Sequence, residues 1–223
     1  MMQICDSLFP IGAFTLSNGL ETLVAKHQIS DGKALENFVD DYLQLLPYND
    51  LGVMMLAYKH ATDRKWIDDL DALSTAYKSP AEVRIGCKKL CSRFLKIYQN
   101  FEGAAKSEYK SIDAYRDMIL HQSCTGNHAI IVGLFAYDIK LDLSSAASLY
   151  VYSLLNAIVT NGVKMIPLSQ SIGQQILSRS QEKIIQAIEI AKTVALDDLG
   201  IGGTGFDIAG MKHEELYTRL YMS

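Results

Sequence analysis

From Leu143 to Val163 the chain carries no charged side chain. An uncharged run of that length either crosses a bilayer or becomes the central helix of a helical core. Its polar residues separate the two outcomes. Ser144, Ser145, Ser148, Ser153, Asn156, Thr160 and Asn161 are scattered through it. They would weaken insertion into lipid, whereas a helix packed inside protein can satisfy them. A buried central helix is expected, and no membrane span.

The rest of the chain repeats the helical period. Leu35, Phe38, Val39, Tyr42, Leu43 and Leu46 recur at three-and-four spacing after Ser30, with Pro47 closing the run. Trp66, Ile67, Leu70 and Leu73 repeat the pattern after Asp63. Ser79-Pro80-Ala81-Glu82 has the form of a capping box and opens a stripe of Val83, Cys87, Leu90, Cys91, Phe94 and Tyr98. Asn127 is placed to cap the run from His128 to Ile139, and Ser180 to cap a helix carrying Ile184, Ile185, Ile188 and Ala191. No segment alternates with a period of two. The fold class expected is all-α, a single-domain bundle of roughly eight to ten helices. Residues 1–199 form the core, 200–205 a glycine-rich hinge and 206–223 a docking tail.

Composition narrows the function. A share of 49% hydrophobic and 21% charged residues describes a globular domain. A net charge of -4 with no basic cluster argues against nucleic acid. The first twenty residues lack Lys and Arg and include Asp6, unlike a signal peptide, and 4 Cys fit reduced thiols, so the expected compartment is the cytoplasm.

Candidate chemical motifs each have a plainer explanation. Gly200-Ile201-Gly202-Gly203-Thr204-Gly205 matches a dinucleotide-binding pattern, but a helix rather than a strand precedes it, which favours a flexible connector. Gly32-Lys33-Ala34 lacks the hydroxyl and the upstream glycine of a phosphate loop. Cys87 and Cys91 stand one helical turn apart on an apolar stripe, where core packing is the simpler role. His121, Cys124 and His128 carry donors suited to zinc or nickel, but their spacing straddles a predicted helix break. A helical metal-binding enzyme using those three residues is the alternative to a non-catalytic protein. His213 beside Glu214 and Glu215 reads as the polar rim of a docking surface, or as a transient metal contact. No metal site is firm, and no catalytic constellation emerges.

Three blocks carry a family likeness. The tail mixes Ile208, Met211, Leu216, Tyr217, Leu220 and Tyr221 with dense charge in Asp207-Ile208-Ala209-Gly210-Met211-Lys212-His213-Glu214 and Tyr217-Thr218-Arg219-Leu220. An opening block runs from Leu8 to Glu21 through Pro10, Gly12, Ser17 and Gly19. A middle block contains Lys164, Pro167, Leu168, Gln170, Gly173, Gln174 and Leu177. Together they resemble the urease accessory protein family UreF, with Glu82 and Arg84 matching less specifically. Ser169, Gly210 and Lys212 depart mildly from its pattern.

The resemblance implies an all-helical homodimer without catalysis or a tightly bound cofactor. With a partner called UreD or UreH it would recruit or regulate the GTPase UreG and dock on apo-urease, for nickel insertion. Nickel would be handled by the complex and GTP bound by UreG. Asp207, Met211, His213, Glu214, Tyr217, Arg219 and Leu220 would meet UreD/UreH. Lys164, Gln170 and Gln174 would face UreG, and Pro10, Gly12, Ser17, Gly19 and Glu21 would shape a dimer or partner surface. A short tail of this kind is marginal alone in water, so it is expected to order only on its partner.

Overall fold

A computed structural model describes residues 1–100 and 110–222. Its α-helices are α1 (Leu20–Ala25), α2 (Gly32–Leu45), α3 (Asp50–Lys59), α4 (Arg64–Ala76), α5 (Ala81–Tyr98) and α6 (Lys110–Leu120). They continue with α7 (His128–Asp138), α8 (Leu143–Met165), α9 (Gln170–Arg179), α10 (Gln181–Thr193) and α11 (Thr204–His213). No strand occurs among the described residues, and the fold is all-α.

Short-range capping sets most helix starts. Asp31, Asp63, Asn127, Asp142 and Ser169 each accept a hydrogen bond from a backbone N–H two or three residues on. Each satisfies a donor that the first turn leaves free. Asp31 therefore starts α2. Ser180 does not cap α10, because its hydroxyl donates back to the Ile176 carbonyl, and Ile185 on that helix is exposed.

At the centre, α3 and α7 bury nearly all their residues and have no polar face. They approach closely because position 133 is glycine: a Cβ there would lie 2.2 Å from the Met54 carbonyl oxygen. Around this pair, α8 is half sunk rather than enclosed. It is long and apolar enough to cross a membrane by length and composition, with 44% of its most apolar stretch buried. Tyr150, Val151, Leu155 and Ile158 face inward, while Ser144, Ser145, Ser148 and Tyr152 face out. Asn161, buried near its end, donates to the Phe14 carbonyl at 3.0 Å and holds the N-terminal segment against it.

The break before α7 is organised by Asp71, which is 1% exposed. Its carboxylate accepts from the Thr125 and Gly126 amides at 2.7 and 3.1 Å and from the Tyr115 hydroxyl. Tyr115 in turn accepts from the Asn127 amide at 2.8 Å. Such saturation is what makes a buried carboxylate tolerable. The network sends the neighbouring side chains in different directions. Cys124 turns towards Asp68, with Sγ 3.7 Å from Oδ1, whereas His128 enters the core beside the Tyr150 ring.

Two outcomes follow from these contacts. Gly133→Ala should cost about 1–3 kcal/mol by overpacking, seen as a lower urea midpoint at unchanged slope. Burial lowers the His128 pKa from 6.5 to about 4, so the native chain holds this imidazole neutral. The unfolded chain binds the extra proton between those values, so stability is lost as pH falls from 6.5 towards 4. The loss attributable to this residue is up to about 3 kcal/mol, and pH-dependent denaturation of His128→Gln should be correspondingly flatter.

Candidate functional site

The two ends of the chain meet where α1, α5 and α11 pack together. Gly19, at φ 85°, begins α1, and a Cβ on it would come 2.8 Å from the Ala209 Cβ. Gly210 meets Pro80 in the same way, at 2.8 Å from its Cγ. Small residues at both positions let α11 lie directly on the starts of α1 and α5. Thr22 then donates to the Ala209 carbonyl at 2.8 Å, and Ser79 to Asp207 at 3.1 Å.

At the end of α11, His213 is wholly buried between two carboxylates. Its Nε2 lies 2.9 Å from Glu21 and its Nδ1 2.6 Å from Glu82. Only the doubly protonated ring can donate from both nitrogens, so the geometry fits an imidazolium between two acids. Arg219 adds a second cation, 2.7 Å from Glu82. Glu21, itself 6% exposed, also accepts the Leu220 and Tyr221 amides at 2.7 and 3.1 Å. The clasp therefore gathers two carboxyl groups, one imidazole and one guanidinium. One more bond, from the Met222 amide to the Thr15 carbonyl at 2.7 Å, ties the tail to the opening block.

This arrangement corrects four expectations. The tail does not await a partner to become ordered, because the buried carboxylates of α1 and α5 supply its docking site on this same chain. The capping box of α5 does not form: Pro80 is the N-cap without a side-chain bond, and Ser79 and Glu82 hold the tail instead. His213 is an interior residue, not a rim. The glycine-rich stretch ends early, since Thr204 and Gly205 already belong to α11. Gly19 and Glu21 lie beneath α11 and Ser17 is buried beside them, while Pro10 is exposed and Gly12 is half-buried against Arg93. Asp207 is half-buried, and Met211, Glu214, Tyr217, Arg219 and Leu220 are exposed. Lys164, Gln170 and Gln174 are also exposed, around the junction of α8 and α9.

The metal candidates are not brought together. His121 is exposed after α6, Cys124 and His128 are buried but divergent, and His213 is engaged by the acids. Among the described residues no group of three His, Cys, Asp or Glu is placed to hold a metal ion. Thr22 and the Thr15 carbonyl escaped sequence reasoning, for neither position has a local signature. Glu82 had one, but the Ser79-to-Glu82 spacing pointed to a cap.

A family model described as UreF matches residues 29–181. Relatives named urease accessory protein UreF match along the entire chain: 36% identity in Actinobacillus pleuropneumoniae serotype 5b, over 97% of that protein. Haemophilus influenzae (strain Rd) gives 34% over 94%, and Streptococcus salivarius 31% over 93%. The chain belongs to the UreF family. Its relatives are named as accessory proteins. The family model begins after Glu21 and ends before His213, so of the clasp's side chains it includes only Glu82, whereas the pairwise matches include them all.

The clasp can be dissected by substitution. His213→Ala leaves Glu21 buried with a missing cation, and should weaken tail docking by about 3–5 kcal/mol. Hydrogen exchange across residues 204–222 should then rise while α3 and α7 stay protected. Arg219→Ala, whose side chain is 45% exposed, should cost under about 1 kcal/mol by the same measurement.

Proposed function

We propose that this UreF chain is a non-catalytic adaptor in urease maturation, whose clasped tail docks the UreD or UreH partner. The observation that carries this reading is the set of exposed apolar residues on the C-terminal segment. His213 and Arg219 bond the segment to its own domain, while apolar residues face solvent among the exposed charges of Lys212, Glu214 and Glu215. Ile208 and Met211 on α11 are 46% and 52% exposed, and Tyr217 and Leu220 beyond it more so. A greasy face held rigidly from behind suits a protein interface, because the ordering entropy has already been met within the chain. Burying three such side chains offers about 1.5–3 kcal/mol each before association costs.

The remaining assignments rest on the family. The exposed junction of α8 and α9, with Lys164, Gln170 and Gln174, is the proposed face for UreG. Homodimerisation, action on apo-urease, nickel insertion with GTP held by UreG, and a cytoplasmic location complete the proposal. Nickel is cargo of the assembled complex in this scheme, not a resident of the isolated chain.

Two substitutions test the two faces separately. The double change Ile208→Asp with Met211→Asp leaves the clasp side chains in place and should abolish co-elution with UreD or UreH in size exclusion. Undiminished complex would remove the tail from that interface. Lys164→Glu should reduce UreG recruitment by the preformed pair, and unaltered recruitment would place UreG elsewhere.

A further inference from the structure

The outward face of α5 is basic without interruption. Lys88, Lys89, Arg93 and Lys96 are all exposed, while Leu90, Cys91, Phe94 and Leu95 between them are buried. At 3.6 residues per turn the four cations fall in one sector of the helix, and Lys88 to Lys96 spans about 12 Å. No acid follows Glu82 in this helix, and Glu82 is already engaged by His213 and Arg219.

On other helices an exposed cation meets an acid of the same chain. Lys65 on α4 lies 2.6 Å from Asp69, Arg179 on α9 lies 2.6 Å from Glu36, and Lys183 on α10 lies 2.5 Å from Asp40. Among the described residues none of the four cations on α5 forms an ion pair. Lys89 Nζ stands 3.9 Å from the Met222 sulfur, and Arg93 donates to the Ile11 carbonyl at 3.0 Å. Neither contact cancels charge. Lys89 and Arg93 are four residues apart, and Arg93 and Lys96 three, spacings at which like charges destabilise a helix. The chain bears this repulsion although its acids outnumber its bases, 25 to 21. Solubility gains nothing from it, because the acidic balance already keeps copies apart.

Three anionic occupants can be set against this stripe. A nucleic-acid duplex takes about 34 Å for one turn, far longer than the row, and α5 exposes no aromatic side chain for stacking on single strands. An anionic bilayer needs apolar side chains to enter it, and Ile85, 51% exposed, is the one large apolar residue that α5 presents. A carboxylate-rich protein segment neutralises the row and finds in Ile85 an apolar contact at one end.

We propose that the basic stripe of α5 docks an acidic peptide segment of a partner protein. The stripe reaches the clasped tail, where Lys89 adjoins Met222. Its docking is independent of which partner the tail's apolar face takes.

The test titrates the full-length chain at low ionic strength with a labelled glutamate–alanine peptide, read by fluorescence anisotropy. Saturable binding is expected, fading as salt is raised, with none for the glutamine–alanine counterpart. Lys88→Gln, Lys89→Gln and Lys96→Gln combined should weaken binding about tenfold. A control combines Lys26→Gln, Lys110→Gln and Lys140→Gln, exposed cations outside α5, and alters net charge equally. It should stay within about twofold of wild type. If the α5 triple variant fails to fold, Lys88→Gln with Lys96→Gln decides, at about threefold. Absence of saturable binding, or equal weakening in the two triple variants, overturns the proposal. So does tighter binding of phosphatidylserine vesicles or of a DNA duplex than of the acidic peptide.

Discussion

A single buried carboxylate, Glu21, governs how the ends of this chain come together. A carboxylate removed from water must find donors, and the Ser17 hydroxyl just before α1 accepts from the Glu21 amide instead of serving its carboxylate. The donors arrive from nearly 200 residues later, as the His213 ring and two amides of the extended tail. The dependence is mutual. Without the tail Glu21 is stranded, and without Glu21 and Glu82 the imidazole has no reason to be inside.

The same demand explains which parts of the fold were legible in the sequence. Helix periods were readable because they depend on neighbours a few residues apart, and so was the cap at Asn127, whereas the caps at Asp31, Asp142 and Ser169 were not singled out and Ser180 turned back to its own helix instead. At the start of α5 a distant group outcompeted a local one. Ser79 and Glu82 had the spacing of a reciprocal cap, but Asp207, His213 and Arg219 gave them stronger, partly desolvated partners. The acidic neighbours Glu214 and Glu215 suggested an exposed histidine, yet in α11 the residue at 213 points inward while they point out. Family likeness singled out segments at both termini. It did not reveal that one is the seat of the other.

Elsewhere, side chains whose convergence the sequence left open are separated by the backbone. Asp71 collects the amides of Thr125 and Gly126 and fixes the turn, after which Cys124 and His128 cannot share a centre. Their proximity in sequence conveyed nothing about direction. The consequence for His128 is a neutral ring deep in the core, set among phenols instead of metal donors.

Glu21 grips the tail through the amides of Leu220 and Tyr221, not through their side chains. Such a hold is blind to residue identity: any amino acid except proline supplies the same N–H. The outward side chain at 220 can therefore be exchanged without loosening the anchorage, like interchangeable bits on one shank. Recognition and attachment are mechanically decoupled there, and partner preference can be retuned at that spot while the scaffold stays as it is.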